Sequence, residues 1–494
     1  MEKLAPLTLE NLAAIGKQMP VPTYDRSPTK AGIVHIGVGG FHRAHQAYYL
    51  HQLRQLGEAS DWEICGIGLR QNDQKLHDIF KKQDHLYTLM VKHPNGKMEP
   101  EVIGSIVDFK MGIDHPEPVI ARMAAPETKI VSMTITEGGY NFNPNTGAFN
   151  FDTPDIQHEL AHPDDPKTVY GFLTASLKRR RDQGLPAFTV LSCDNIEHNG
   201  NMIQKMLYAF AKAQDPQLAQ WIAKEVRFPN NMVDRITPVT TQEDIKLLAN
   251  IYGVEDAWPV TCEPFIQWVV EDNFSNGRPD FEKVGVQFVS DVVPYEKMKL
   301  RLLNAGHSVL GLLGVLHGHS TIDTCVQDEL FATYLRAFLD QEATPVLGKI
   351  EGIDLTAYKD SLLERFGNPN IKDGVDRICS ESSAKLPKFL IATIQENLVA
   401  GGSIKYATLV LVAWCYYSDK QVNQNGQQLD IQDAMKEELH KAAKETATDP
   451  LAFIRQESIF GDLIDNKRFT AVYTEMVQRF YTDVDIKKLM QELL

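Results

Sequence analysis

The sequence predicts an α/β N-terminal region built on an open parallel sheet, followed by a mostly α-helical C-terminal region. Short apolar runs that end in glycines or polar residues alternate with helical patterns up to about residue 287. Beyond that point the strand signals fade and long helical patterns continue to Leu494. We therefore expect two domains, 1–287 and 288–494, and a chain of 494 residues is long enough to bury two separate cores.

The first strand pattern ends in a glycine-rich junction. Residues 32–36 form a short β-branched run, and residues 37–41 (GVGGF) connect it to a helical pattern. Glycines at such a junction let the backbone approach a pyrophosphate, whose charge the start of the helix stabilises. Gly37 and Gly39 fit a G-x-G-x-x-G fingerprint, whereas His42 stands at the third glycine position. The pattern indicates a dinucleotide site, with an ordinary glycine-rich turn as the alternative.

The second strand pattern, 62–69, is followed closely by Asp73. A carboxylate just beyond the second strand would bind the ribose hydroxyls of the adenosine and repel a 2′-phosphate, which favours NAD over NADP. Arg70 is a counter-signal, because an arginine nearby can accommodate that phosphate. The alternative for Asp73 is that it caps the next helix.

Polar side chains also follow later strand patterns. The pattern at 129–136 ends at Glu137, the pattern at 187–192 is followed by Asn195, and Asp234 follows a similar short approach. Because the carboxyl ends of strands in an open parallel sheet line the ligand crevice, we expect Glu137, Asn195 and Asp234 at that edge. Each of them alone also fits an ordinary turn residue.

Residues 294–314 (PYEKMKLRLLNAGHSVLGLLG) place Lys299, Asn304 and His307 among leucines. On a helix, His307 falls about 80° and Asn304 about 140° from Lys299, so all three share their arc with apolar residues. Buried polar groups are costly unless they find partners, and a functional site is one reason to accept that cost. The alternative is an amphipathic helix in which Lys299 extends to water and His307 is a core histidine.

Charge and composition argue against several partners. The net charge of −15 is spread along the chain, which argues against nucleic acid as a partner. The N-terminus lacks the basic start and apolar core of a signal peptide, and the longest apolar run, 407–417, is too short to span a bilayer. Six scattered cysteines without a CxxC pair fit reduced thiols. We expect a cytoplasmic protein without a membrane or nucleic-acid partner.

Histidine spacing gives no sign of a metal site. The pair His42 and His45 and the pair His317 and His319 lack a companion cluster with metal-ligand spacing. The sequence therefore predicts no bound metal.

The main motifs occur in the order found in one known family. They are GVGGFHRAHQ (37–46), TITEGGY (134–140), SCDN (192–195), NMVDRITP (231–238) and KLRLLNAGHS (299–308). With them the chain resembles the polyol-specific long-chain dehydrogenases over nearly its whole length. The resemblance implies a Rossmann-type, doubly wound N-terminal domain that binds a dinucleotide, a mostly helical C-terminal domain for substrate binding and catalysis, and a zinc-independent active site. His42 fits this family's own version of the fingerprint.

The resemblance also implies the reaction: an NAD-dependent interconversion of a polyol and a ketose, with D-mannitol and D-fructose as the expected pair. Lys299 would be the general base in oxidation and the general acid in ketone reduction, since desolvation lowers the pKa of a lysine. Asn304 and Asn195 would donate hydrogen bonds to the developing oxyanion, and His307 would orient the reacting oxygen.

Further site residues follow from the same resemblance. Asp234, Arg377 and Lys385 would bind the remaining substrate hydroxyls, although by residue type alone Arg377 and Lys385 fit solvated cations. Glu296 would exchange protons with Lys299 through water, and an ordinary surface ion pair is the alternative. The predicted cofactor-binding residues are Gly37, Gly39, Gly40, Phe41, Asp73, Thr136, Glu137 and Val233.

Two other functions stay open. A related polyol or sugar-acid oxidoreductase would act on arabinitol, sorbitol or fructuronate, and an acidic substrate would need extra cations in the pocket. A catalytically silent NAD-binding sensor with the same fold belongs to another class, and the intact Lys299, Asn304 and His307 argue against it. The resemblance is compatible with a monomer.

Overall fold

The computed structural model describes residues 4–26, 31–143, 146–482 and 484–494. The chain divides into two compact units. The first unit comprises Met1–His93 and Lys97–Val293, and the second comprises Pro94–Gly96 and Pro294–Leu494. The first is an α/β unit and the second is mostly helical, so the predicted fold class is confirmed.

The first unit alternates strands and helices. Its strands are β1 (Ala5–Pro6), β2 (Ile33–Ile36), β3 (Ile64–Gly68), β4 (Tyr87–Lys92), β5 (Met98–Ile103), β6 (Ile106–Met111), β7 (Ile130–Met133), β8 (Thr189–Ser192), β9 (Asn231–Asp234), β10 (Val254–Glu255), β11 (Val260–Cys262), β12 (Gln267–Glu271) and β13 (Gln287–Val289). Its α-helices are α1 (Leu12–Ile15), α2 (Gly40–Ala44), α3 (Gln46–Gln55), α4 (Asp73–Lys82), α5 (Pro116–Ala124), α6 (Pro154–Ala161), α7 (Val169–Asp182), α8 (Asn199–Gln214), α9 (Pro216–Glu225) and α10 (Gln242–Tyr252). Short 3-10 turns occupy Leu9–Asn11, Glu137–Tyr140 and Phe281–Val284.

A five-stranded parallel sheet organises this unit, in the order β6-β3-β2-β7-β8. Counted along the chain within the sheet, this order reads 3-2-1-4-5, which is the strand order of doubly wound dinucleotide-binding domains. The order reverses between β2 and β7. Ligands of such sheets bind outside the carboxyl ends of the strands at this reversal.

Both faces of the parallel sheet are buried. Because side chains alternate along a strand, Val34 and Ile36 of β2 join a core cluster with Leu173 of α7, while Ile33 joins a second cluster with Leu50 of α3. Burial on both faces explains why these strands read as nearly continuous apolar runs in the sequence.

Strand β9 belongs to a different sheet. It pairs antiparallel with β12 in a three-stranded sheet of order β13-β12-β9, and the other small sheets are β11-β4-β5 and β1-β10. Asp234 is the last residue of β9, so its expected position at the edge of the parallel sheet is wrong. A short apolar run in the sequence predicts a strand but carries no information on which neighbouring strand it pairs with.

The second unit consists mostly of helices. They are α11 (Val293–Lys299), α12 (Ala305–His317), α13 (Ile322–Gln327), α14 (Glu329–Phe338), α15 (Leu355–Phe366), α16 (Val375–Cys379), α17 (Ser382–Leu386), α18 (Ala392–Ala400), α19 (Lys405–Lys420), α20 (Lys436–Glu445), α21 (Glu457–Phe460), α22 (Lys467–Thr482) and α23 (Ile486–Leu493). Short 3-10 turns lie at Thr344–Val346, Phe453–Arg455 and Leu463–Asp465. Among the described residues, none of the helices combines the length and apolar character needed to cross a membrane.

Short π-helical segments interrupt the helices of this unit. Leu300–Asn304 joins α11 to α12, Leu339–Ala343 follows α14, and Pro387–Ile391 joins α17 to α18. The first of these segments contacts both of the others. The predicted helix is therefore present over 294–314, but its regular α-helical winding is wrong over Leu300–Asn304.

The cysteines agree with the expected thiol state. All six are free and buried.

A buried carboxylate holds the start of α19. Glu342 accepts hydrogen bonds from the backbone N–H groups of Tyr406 and Ala407, at 2.9 and 2.8 Å, and from the Ser403 hydroxyl at 2.8 Å. The two N–H groups belong to the first turn of the helix, where they have no intrahelical acceptor. Burial raises the pKa of Glu342, and these donors partly offset that rise.

We expect Glu342→Ala to lower the free energy of unfolding by about 3 kcal/mol, because two buried N–H groups lose their acceptor. Urea unfolding followed by circular dichroism measures this loss. The matched control is Glu438→Ala, which removes an exposed glutamate of α20 and should change the free energy of unfolding by less than about 0.5 kcal/mol. Equal effects of the two substitutions would contradict the capping role.

Candidate functional site

A cavity of about 520 Å³ lies in the first unit at the carboxyl ends of β2, β3 and β7. Its walls include residues 36–39 after β2, Arg70 and Asp73 after β3, and residues 134–136 after β7. This is where the strand order of the parallel sheet reverses. The volume is in the range of pockets that bind small molecules and cofactors.

The β2–α2 turn requires a glycine at position 37. Gly37 has φ +86°, and a Cβ atom there would lie 2.2 Å from the Thr134 carbonyl oxygen. The Thr134 hydroxyl donates to the Gly37 carbonyl at 2.7 Å, which holds the ends of β2 and β7 together. The backbone therefore forms this wall of the cavity, as a site for a pyrophosphate requires.

Asp73 lies at the end of β3 and is held by the chain just before it. Its Oδ2 atom accepts the backbone N–H groups of Leu69 and Arg70 at 3.0 and 2.9 Å. Asp73 is the first residue of α4, and the N-cap position belongs to Asn72. The helix-cap alternative is therefore wrong, and the carboxylate lies where a ribose-binding residue of a dinucleotide site is found.

Thr136 has a strained backbone conformation that a buried carboxylate stabilises. Its φ of +60° is unusual for a residue with a Cβ atom. Asp194 accepts the N–H groups of Ile135 and Thr136 at 3.1 and 2.8 Å and the Tyr140 hydroxyl at 2.8 Å. Burial raises the pKa of Asp194. In the sequence Asp194 stands out only as part of SCDN, and its position directly after a buried strand was the available signal.

Two asparagines without a predicted role join β8 to β9. Asn199 donates to the carbonyls of Asn231 and Asp194 at 2.8 and 3.1 Å, and Asn231 donates to the Ser192 carbonyl at 2.5 Å. These bonds tie the loop that contains Asn195 to β9. Asn199 begins α8 and Asn231 begins β9, and no signal in the sequence indicates that they pair, because their contact depends on the fold.

A polar layer lies beneath the glycine-rich turn. The His35 ring bonds the Ser132 and Thr134 hydroxyls at 2.8 and 3.1 Å, and His42 stacks on His35 at 3.4 Å. Both histidines are fully buried, and among the described residues neither ring nitrogen of His42 has a hydrogen-bond partner. His42 therefore packs flat against the sheet at the position where a third glycine would otherwise allow close contact.

The predicted cofactor-binding residues fall into two groups. Gly37, Gly39, Asp73 and Thr136 line the cavity. The remaining residues of the prediction lie outside that lining, within the described part of the chain: Gly40, Phe41, Glu137 and Val233. Val233 is 4 % exposed and is part of the core, and Phe41 stacks on His45.

In the second unit, Lys299 and Glu296 are both buried, with exposures of 7 % and 6 %. The alternatives of a lysine extended into water and of a surface ion pair are therefore wrong. Burial of an ammonium group favours its neutral form, which is the form that can act as a base.

Asn304 and His307 lie on either side of the change from π- to α-helix. Asn304 ends the π-helical segment, and within the described residues its buried Oδ1 atom has no hydrogen-bond partner. His307 is half-buried, and its ring contacts Phe366 at a centroid distance of 4.2 Å. The helix is held from another side by Arg301, which pairs with Glu396 at 2.9 Å. Partly accessible polar groups on a restrained helix can bind and orient a reacting group.

Arg377 and Lys385 lie close to each other. The Lys385 ammonium is 3.5 Å from the Arg377 carbonyl oxygen, and the Arg377 side chain is 62 % exposed and pairs with Asp373 at 2.5 Å. Helix α16 packs on α12 at Gly311, where a Cβ atom would lie 2.7 Å from Ile378. The two cations therefore belong to a segment that contacts the helix of His307.

The histidine pair at the end of α12 differs from the expectation. Its predicted lack of a companion ligand is wrong, because Asp328 lies close enough to His317 and His319 for the three to hold one ion. Helix α13 reverses the chain between them, and spacing along the sequence does not reveal that proximity.

These features define a dinucleotide-binding α/β unit followed by a helical unit with a polar cluster on a buried helix. The Mannitol dehydrogenase Rossmann domain matches residues 31–283, and the Mannitol dehydrogenase C-terminal domain matches residues 291–481. The chain belongs to the mannitol dehydrogenase family. The predicted family resemblance is thereby confirmed.

Curated relatives match the chain over nearly its full length. Mannitol 2-dehydrogenase of Neosartorya fischeri is 44% identical, with 98% of this chain and 99% of the relative covered. Mannitol 2-dehydrogenase of Pyricularia oryzae is also 44% identical, with 97% of each covered.

Solved structures agree with this assignment. The ternary complex of Pseudomonas fluorescens mannitol 2-dehydrogenase with NAD and D-mannitol has a TM-score of 0.89 at 44% identity, covering 99% of both chains. Substrate-free D-sorbitol dehydrogenase has a TM-score of 0.89 at 36% identity, covering 98% of this chain and 100% of that one.

We expect Gly37→Ala to lower the free energy of unfolding by about 3 kcal/mol or more, because its methyl group would overlap the Thr134 carbonyl. Urea unfolding measures the change. The matched control is Gly57→Ala, since Gly57 has φ +81° but nothing within 4 Å of the added Cβ. That control should lose only about 1 kcal/mol from the left-handed conformation. Similar losses in both variants would mean that the close approach to Thr134 is unimportant.

The buried histidines predict a pH-dependent stability. Burial lowers the pKa of His35 to about 3 and lowers the pKa of His42 well below its ordinary value. The unfolded chain therefore binds more protons below about pH 6.5, and stability is lost as the pH falls from there towards 3. For each of the two histidines, proton binding by the unfolded chain should lower the free energy of unfolding by up to about 2 kcal/mol as the pH falls from 6.5 to 5.

Urea unfolding at several pH values measures this slope. His42→Gln should make the slope shallower, whatever its effect on stability at neutral pH. His162→Gln, which replaces an exposed histidine of the same unit, should leave the slope unchanged. Identical slopes for the wild type and His42→Gln would contradict the interpretation.

Proposed function

We propose that this protein is an NAD-dependent oxidoreductase that interconverts D-mannitol and D-fructose. The observation that carries the proposal is the match over 99% of both chains, at 44% identity, to a mannitol 2-dehydrogenase complexed with NAD and D-mannitol. The cavity at the sheet reversal and the buried Lys299 support it from this chain's own geometry.

The cavity residues fit NAD. The glycine turn leaves the backbone open to the pyrophosphate, and the carboxylate of Asp73 suits ribose hydroxyls and repels a 2′-phosphate. Thr136 lines the same cavity. Gly40, Phe41, Glu137 and Val233 complete the proposed cofactor-binding set. When bound, NAD supplies the hydride acceptor for alcohol oxidation.

Lys299 is the proposed general base. In oxidation its neutral amine takes the hydroxyl proton while the C–H bond breaks and the carbonyl forms. In ketone reduction its ammonium returns that proton to the oxygen. Glu296, buried on the preceding turn, passes the proton between Lys299 and water. Because the lysine supplies the base, the reaction needs no metal.

Asn304 and His307 are the proposed groups around the reacting oxygen. The amide of Asn304 donates to the developing oxyanion, and the imidazole of His307 orients the oxygen. For Asn195 and Asp234 the predicted roles in oxyanion and hydroxyl binding rest on the family resemblance. Arg377 and Lys385 are proposed to bind substrate hydroxyls.

D-sorbitol is the second candidate substrate. The relative described as D-sorbitol dehydrogenase has the same TM-score of 0.89, although its identity of 36% is lower. A sugar acid such as fructuronate is the third candidate substrate, and a silent NAD-binding sensor is the candidate without catalysis. A cytoplasmic location is proposed because all six cysteines are free thiols. A monomer is proposed because the family resemblance is compatible with one.

We expect Lys299→Ala to reduce the rate of D-fructose reduction about a hundredfold to ten-thousandfold, which is the usual contribution of a general acid or base. The loss of NADH absorbance measures the initial rate. The matched control is Lys297→Ala, on the same helix, whose lysine pairs with Glu396 at 2.7 Å and is 35 % exposed. That variant should keep nearly full activity. An undiminished rate in Lys299→Ala would refute the assignment of the base.

A substrate panel separates the candidate functions. Wild-type rates with D-fructose, fructuronate, D-mannitol, D-sorbitol and arabinitol should be highest for the D-mannitol and D-fructose pair. A preference for D-sorbitol or fructuronate would keep the mechanism and change the substrate. No turnover of any of them, together with NADH binding seen by fluorescence, would identify a sensor.

A further inference from the structure

Two histidines and a carboxylate converge at the end of α12. His317 is the last residue of α12, His319 lies in the following turn, and Asp328 is the N-cap of α14. One ligand atom from each residue lies within 4.8 Å of the others. All three residues are partly exposed to solvent, although the Nε2 atom of His319 is itself buried.

The spacing of these atoms suits an ion. His319 Nε2 lies 3.7 Å from Asp328 Oδ2, which is too far for a hydrogen bond. Within the described residues this buried nitrogen has no hydrogen-bond partner. Two ligand atoms bound about 2.1 Å from a tetrahedral zinc ion are about 3.4 Å apart. A small rotation of the imidazole would therefore bring both atoms to zinc.

The surrounding residues restrain the ligands. Gln424 contacts His317 Nδ1 at 2.7 Å, and ligating histidines are commonly oriented through their second ring nitrogen. Both histidine rings contact Phe331, at centroid distances of 5.5 and 5.0 Å. The Oδ1 atom of Asp328 accepts the Leu330 N–H at 3.2 Å, and that bond orients the carboxylate.

A cation already interacts with this carboxylate. The ammonium of Lys487, on α23, lies 2.5 Å from Asp328 Oδ2. The Lys487 side chain is 42 % exposed, so it can turn into water when another cation binds. Lys487 is therefore a competitor for the position that a metal would take.

We propose that His317, His319 and Asp328 bind a divalent transition-metal ion of the zinc class, with water as the fourth ligand and with displacement of Lys487. Two imidazoles and a carboxylate form a ligand set typical of zinc. His317 lies ten residues beyond His307 on α12, or about 15 Å along the helix. The ion joins the end of α12 to the start of α14 and takes no part in the proposed reaction.

Competition with a chromophoric zinc chelator tests the site, using the full chain without an affinity tag. The wild type should bind one Zn²⁺, and Co²⁺ should give the visible absorption of a tetrahedral complex. His319→Ala should weaken Zn²⁺ binding more than about tenfold, since a ligand is lost. Asp328→Asn should also weaken binding while keeping a good N-cap residue for α14.

Lys487→Gln provides a test in the opposite direction. Removal of the competing ammonium should tighten Zn²⁺ binding about two- to fivefold, the range expected for a partly exposed ion pair. His162→Ala, in a second histidine pair with His158 on α6, is the matched control and should bind like the wild type. The proposal is overturned if the wild type shows no saturable binding, or if His162→Ala rather than His319→Ala abolishes it. Unchanged affinity in Lys487→Gln would refute the proposed displacement.

Discussion

The close approach of β2 and β7 at their carboxyl ends is the constraint on which the first unit depends. The Thr134 carbonyl occupies the space that a side chain at position 37 would need. The same threonine bonds the Gly37 carbonyl and the ring of His35, so the two strands end in one hydrogen-bonded arrangement. Beyond this arrangement the segments that follow β2 and β7 move apart, and the cavity lies between the two strand ends. The close backbone contact between Gly37 and Thr134 therefore lies at the edge of the cavity and fixes the position of that part of its wall.

Polar groups buried in an apolar sheet are the cost of that arrangement. The Ser132 hydroxyl contacts both the His35 ring and the side-chain amide of Gln46, each at 2.8 Å. Asp194 stabilises the unusual backbone of Thr136 with two hydrogen bonds. Each of these groups would destabilise the fold if it were buried alone. Together they fix the position of the strand ends more firmly than apolar packing would, because hydrogen bonds are directional.

The sequence predicted the strands and helices better than it predicted which distant segments contact each other. The glycine turn and the apolar strands followed from local patterns, and Gly37, Asp73 and Thr136 line the cavity. Local periodicity does not record pairing between distant segments, so β9 was expected in the wrong sheet. The proximity of Asp328 to His317 was missed for the same reason. The burial of Lys299 could be suspected from its leucine neighbours, but the π-helical segment could not, because it depends on packing against other helices.

The π-helical segment affects the direction in which the side chains of α12 face relative to those of α11. That direction depends on the winding of the segment as well as on the identity of its residues. A π-turn closes its hydrogen bonds over one residue more than an α-turn, and such a turn can be regarded as a helix with one inserted residue. Deleting a residue from Leu300–Asn304 would restore ordinary winding. Residues beyond the segment would then keep nearly the direction that they have now relative to Lys299, because the π-turn takes up the extra residue. If the same residues instead wound as a regular α-helix, His307 would turn by about 100° relative to Lys299, so the direction of His307 depends on the π-helical winding as well as on its place in the sequence.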